Sequence, residues 1–193
     1  MSLPIYPLNP TDQDTLAAQA IHFSLGVTGP SQTITAGPEF SLKYERLFDH
    51  PFLYRLSYDY RYGHMSSNVL PDGKIHRHTL GADWVYYRGT HKNTAYIGFG
   101  MVAGFASFKE DKETYDELNL PPGSSEVDIK WALGYRLTLG LRMNSVYSLE
   151  VVITEISPTF IYRNNLSSEN FQIQKEEFRA NDFKVSLGYL IEL

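Results

Sequence analysis

Three histidines, His64, His76 and His78, cluster around the segment GHMSSNVLPDGKIHRH, with Ser66 and Ser67 between them. Imidazoles grouped this way could hold Zn or Cu. A histidine near a serine could instead activate the hydroxyl against an ester or amide, given a carboxylate to orient the ring. Asp59 and Asp83 could work as an acid/base pair. Each chemistry has a plainer reading. A His-any-His pair beside a turn-rich loop selects no particular metal. Asp59 and Asp83 share their pattern with Arg55, Arg61 and Arg136, which makes them charge partners first. Gly98, Gly100 and Gly104 form no phosphate-binding loop, because no helix pattern follows them. Which reading holds depends on the elements that carry these residues.

Those elements are written at period two. In Val127–Met143, VDIKWALGYRLTLGLRM, one alternate set is Val, Ile, Trp, Leu, Tyr, Leu, Leu, Leu and Met. The other is Asp, Lys, Ala, Gly, Arg, Thr, Gly and Arg. Such alternation means a strand with two unlike faces. About eight segments of this kind occur: Ala20–Thr28, Glu39–Phe48, Phe52–His64, His78–Arg88, Thr94–Phe108, Val127–Met143, Tyr147–Arg163 and Phe183–Leu193. The seventh loses phase near Thr154–Ile156, which reads as a β-bulge, with Pro158 beside the break. Links after the second, fourth and sixth segments are short. Those after the third, fifth and seventh, about 65–77, 109–126 and 164–182, are long and carry turn formers such as PDG and PPGSS. Within the last, Phe171–Arg179 has the pattern of a short added strand or helix. Short and long links in alternation predict an up-and-down barrel with one tight rim and one elaborated rim. Residues 1–19 are then a tail, and 20–193 a single barrel domain.

Composition narrows the surroundings. The 193 residues carry a net charge of −5 and no cysteine. The charge argues against a nucleic-acid partner. Without thiols there are no disulfides, which suits a chain that crosses an oxidising compartment. No apolar run is long enough for a transmembrane helix. The opening MSLPIYPLNPTDQDT is not a signal peptide, so the chain is either cytosolic or already processed. The volume of a barrel then decides which face is inside. Eight strands leave an interior just wide enough for side chains to fill. With apolar faces inward, as in a soluble lipocalin, the third and sixth segments alone would crowd five tyrosines, a phenylalanine and a tryptophan into it. The expected fold is therefore all-β: an eight-stranded antiparallel up-and-down transmembrane β-barrel with its apolar face toward lipid. The expected lumen charges are Arg55, Asp59, Arg61, Asp83, Asp128, Lys130, Arg136, Arg142, Glu150 and Lys184, with Glu39, Lys43, Glu45 and Glu192 beside them. Both signs are present, so a network of ion pairs and waters is expected. The expected lipid-facing aromatics are Tyr54, Tyr58, Tyr60, Tyr62, Trp84, Tyr86, Phe99, Phe105, Trp131, Tyr135 and Tyr189.

This architecture resembles the small eight-stranded outer-membrane proteins of Gram-negative bacteria, the OmpX and OmpA-barrel type, over roughly 20–193. The final residues SLGYLIEL are similar to the carboxy-terminal signal read by the outer-membrane assembly machinery in that family. Ser186, Gly188, Ile191 and Leu193 stand at its polar, glycine and hydrophobic positions, with Leu193 where the family usually has Phe. The resemblance implies periplasmic termini and extracellular long loops. It implies membrane lipid and lipopolysaccharide, the assembly machinery, and a protein at the loops or in a membrane complex as partners. No cofactor, metal or catalytic site is expected. The expected role is non-enzymatic: structural, surface-binding or that of a complex subunit. The alternatives are a lipid-A-modifying enzyme on the same fold, a narrow channel, and a soluble lipocalin-like binder. No strand is read as carrying the His-any-Ser pair of the outer-membrane deacylases. The rim histidines are expected to bond water or lipid headgroups.

Overall fold

The computed structural model describes residues 19–30, 34–49, 51–65, 72–88, 93–110, 125–164, 172–177 and 180–193. Period-two alternation becomes strand throughout: β1 (Gln19–Thr28), β2 (Gly37–Asp49), β3 (Phe52–Met65), β4 (Gly73–Tyr87), β5 (Thr94–Glu110), β6 (Ser125–Lys130), β7 (Ala132–Met143), β8 (Tyr147–Ile156), β9 (Thr159–Asn164), β10 (Gln172–Glu177) and β11 (Ala180–Glu192). Eight of these close into a barrel in the order β1-β11-β8-β7-β5-β4-β3-β2. Neighbours run antiparallel, including the closing pair β1 and β11. Closure leaves no open edge in the wall. The tight rim shows its construction between β7 and β8. Asn144 and Ser145 have φ of 53° and 58°, and the Val146 N–H donates to the Met143 carbonyl at 3.2 Å. Positive φ at both central residues is the type I′ turn, whose twist matches its flanking strands.

Three boundaries differ from the alternation pattern. The sixth segment is not one strand. Pairing of β5 with β7 ends at Gly104 and Ala132, and the chain before Trp131 leaves the barrel as β6. There it pairs with β9, and β10 completes a separate three-stranded sheet in the order β10-β9-β6. The seventh segment breaks too, but not as a bulge near Thr154–Ile156. That stretch holds regular register with both neighbours, Thr154 opposite Asp182 and Arg136. The strand instead ends after Ile156, at Ser157 and Pro158, and Pro158 has no N–H to give a ladder. Finally, β4 begins at Gly73, inside the expected 65–77 loop, whereas β10 falls within Phe171–Arg179, where a short added strand or helix is expected.

Exposure follows the two faces. On β3, Leu53, Arg55, Ser57, Asp59 and Arg61 are buried, while Leu56 between them is half exposed. Outward Leu25 and Leu187 are 70% and 65% exposed. This polarity is the reverse of a lipocalin and overturns that alternative, because the enclosed space holds the charges and not an apolar cavity.

Candidate functional site

The lumen is layered along the barrel axis. At the tight rim, buried Leu53, Val85, Tyr87 and Tyr96 form an apolar layer against Leu47. At the long-loop rim, buried Ile34, Met65 and Ile75 form another with Ala106, Phe108 and Ile129. Between them lie buried charges from six strands: Glu39, Lys43, Glu45, Arg55, Asp59, Arg61, Arg77, Asp83, Arg136, Arg142, Glu150, Asp182 and Lys184. These comprise seven cations and six carboxylates. The near balance lets pairing neutralise them, as burial requires.

Pairing links the charges into three clusters, the last two joined through Arg77 and Glu39 at 4.0 Å. Glu45 accepts from Arg55 Nε at 2.9 Å and Nη2 at 2.6 Å, and also pairs with Arg142. Glu150 takes Arg55 Nη1 at 2.9 Å, the Tyr96 hydroxyl at 2.6 Å, and Lys43. In the second group, Arg136 donates to Asp59 at 2.7 Å, to Asp83 at 2.7 and 3.1 Å, and to the Ser57 hydroxyl at 2.6 Å. Lys184 donates to Glu39 at 2.6 Å, Ser41 at 2.8 Å and Asp59 at 3.2 Å. The third group joins Arg61 and Arg77 to Asp182. Gly81 is required by this packing. A Cβ there would collide with the Arg136 guanidinium and the Ser57 hydroxyl. Gly140 likewise yields its side-chain space to the Tyr96 ring.

Of the charges assigned to the lumen from sequence, Arg55, Asp59, Arg61, Asp83, Arg136, Arg142, Glu150 and Lys184 line it. Asp128 and Lys130 do not, which corrects that assignment. They belong to β6, outside the barrel, and Lys130 is exposed. Their parity matched the inward set only because alternation continues through the break at Trp131. Glu192 is likewise exposed, at the end of β11. Arg77 and Asp182 were hidden inside presumed loops. Tyr54, Tyr58, Tyr60, Tyr62, Trp84, Tyr86, Phe99, Phe105, Trp131, Tyr135 and Tyr189 all stand on the outer surface. On β11, Ser186 is buried in the lumen and Ile191 is exposed, as is Leu193 just past the strand's end.

The expectation that no strand carries a His-any-Ser pair also needs correction. β1 contains His22-Phe23-Ser24, and β3 reaches His64-Met65 with Ser66 outside the described residues. The first pair faces inward. His22 Nε2 lies 2.7 Å from the Ser148 hydroxyl, and its Nδ1 is 3.7 Å from Glu45. A serine, a histidine and a carboxylate therefore meet in space. His22 and Ser148 are nonetheless 0% and 1% exposed, inside the packed charge layer. An acyl substrate has no room beside that serine, so the contact is read as part of the lumen packing. His76 and His78 face outward and take hydrogen bonds with Tyr60 and Tyr58. Among the described residues, no group of three or more His, Asp or Glu is arranged to hold a metal.

No family model matches the sequence, and a comparison with curated proteins returns no match. Solved structures do match. The outer membrane protein OprG from Pseudomonas aeruginosa aligns with a TM-score of 0.69 at 11% identity, covering 93% of this chain and 98% of that one. Neisserial surface protein A aligns at 0.58 and 9% identity, covering 92% and 98%. A major outer membrane protein from Thermus thermophilus aligns at 0.55 and 12% identity, covering 90% and 100%. At such identities the likeness is one of fold: the chain has the fold of small eight-stranded outer-membrane β-barrels.

Proposed function

We propose that this chain is an integral outer-membrane protein without enzymatic activity, and that its barrel is a sealed scaffold, not a pore. The long-loop rim faces the cell exterior and the termini face the periplasm. The three-stranded β10-β9-β6 sheet stands beyond the barrel wall and serves a structural, surface-binding or complex-subunit role. One observation carries this reading. Ion pairs fill the lumen, with an apolar layer toward each rim. A conducting lumen needs a continuous polar path for water and ions, and these layers interrupt it. The outward apolar and aromatic surface supports placement in a bilayer.

Planar-bilayer recording tests the proposal, with insertion checked on the same preparation by brominated-lipid quenching of Trp84 and Trp131. These two tryptophans are 60% and 67% exposed on the outer surface. The expected result is quenched tryptophans with no conductance steps. Discrete steps from a quenched protein would make it a channel. Incubation with lipid A is expected to leave its mass unchanged. Loss of an acyl chain would establish the enzyme alternative.

A further inference from the structure

At the long-loop end of β3, β4 and β5 the outward face changes chemistry. Cross-strand register arranges it in rows: His64, Lys74 and Lys109; then Tyr62, His76 and Ser107; then Tyr60, His78 and Phe105. Lys74 and Lys109 stand directly opposite each other, both exposed. Neither has an acidic partner among the described residues. Like charges opposed across a ladder destabilise it, so an anion is the natural complement to this pair. The next row supplies a further donor. The Tyr60 hydroxyl lies 2.7 Å from His76 Nδ1. With Nδ1 engaged by Tyr60, Nε2 is the ring nitrogen left for a ligand, and it donates to an anion whenever it carries the ring proton. Below them the His78 ring stacks on Phe105, with centroids 4.9 Å apart and planes 7° apart. The surface continues downward through Leu80 and Ala103, both apolar.

Spacing fits a single phosphate. Neighbouring strands lie about 4.8 Å apart and alternate residues about 6.7 Å apart along a strand. Lysine stems are long enough to converge over that distance while their ammoniums stay near the interface. We propose that Lys74, Lys109 and His76 bind the phosphate of an outer-leaflet lipid, whose acyl chains run down the apolar face beneath. The adjoining apolar floor favours a lipid phosphate over a free one. The proposal rests on the membrane placement argued above.

The test uses the full chain refolded in detergent micelles, with native mass spectrometry measuring retention of bis-phosphorylated lipid A. The double variant Lys74→Gln/Lys109→Gln is expected to lower affinity about tenfold or more. Wild-type protein should hold dephosphorylated lipid A, with the same acyl chains, no better than the variant holds the phosphorylated form. Inorganic phosphate at equal concentration should not compete. A second double variant, Arg46→Gln/Arg88→Gln, removes the same charge from exposed residues near the tight rim and should leave retention unchanged. The proposal is overturned if the dephosphorylated lipid is held equally, or if Lys74→Gln/Lys109→Gln has no effect. Competition by inorganic phosphate, or an equal loss in the arginine variant, overturns it as well. Failure of the membrane placement shows separately, as tryptophans left unquenched by brominated lipid.

Discussion

Arg55, Asp59 and Arg61 share β3 with Tyr54, Tyr58, Tyr60 and Tyr62, yet the two sets are held by different means. Each inward residue is fixed by named partners on other strands: Arg55 by Glu45 and Glu150, Asp59 by Arg136 and Lys184, Arg61 by Asp182. The outward residues mostly meet a broad apolar surface and a few neighbouring rings, such as Phe52 against Tyr86 at 5.4 Å. Inward positions therefore depend on one another, and outward positions depend on their surroundings. One inward change strands its partners. One outward change is judged only by what the bilayer accepts at that depth.

The largest effect is expected where one carboxylate serves several partners. Glu150→Ala removes the acceptor for Lys43, Arg55 and the Tyr96 hydroxyl, all buried. Leaving buried charge unpaired costs about 3–5 kcal/mol, read as a lowered urea midpoint of the refolded barrel. Adding Lys43→Met should recover part of that loss, because one stranded charge is gone. No recovery would mean that the two residues are not coupled as the geometry requires. On the outer face, Leu56→Arg should cost about 2–4 kcal/mol in bilayers, the range for arginine near mid-membrane. Leu56 is half exposed on the stretch of β3 between outward Tyr54 and Tyr58. Stability unaffected by this change in bilayers would sink the placement of that face in hydrocarbon.

The difference between the faces also explains what the sequence could disclose. Facing is local, because it repeats every second residue, so Arg55 and Tyr54 can be sorted from β3 alone. Partnership is not local. Lys43 and Glu150 are 107 positions apart, and His22 and Ser148 are 126 apart. No pattern on either strand names the other. Departure from the barrel was equally invisible at Trp131, since β6 keeps the alternation of β7 while pairing elsewhere. Arg77 is hidden for the opposite reason: the turn formers PDG run into the start of β4 at Gly73, and their signal extends the expected loop to Arg77. Asp182 shares the parity of Lys184 and lies two residues before it, where β11 has already begun at Ala180.

The smallest effects offer the closest comparison, because one chemical change can be made on each face. Tyr96→Phe deletes a hydroxyl that donates to Glu150 at 2.6 Å in the closed lumen. Tyr60→Phe deletes one that lies 2.7 Å from His76 on the outer surface. The lumen bond joins the hydroxyl to a buried carboxylate, and hydrogen bonds to charged groups are worth more, so about 1.5–3 kcal/mol is expected. The outer bond joins a half-buried tyrosine to an imidazole near the rim, where interfacial water can substitute, so about 0.5–1 kcal/mol is expected. Urea titration of both variants in the same lipid resolves the two ranges. Equal losses would mean that water reaches Glu150 as readily as it reaches the rim. The apolar layers would then not seal the lumen, and the absence of conduction would need another cause.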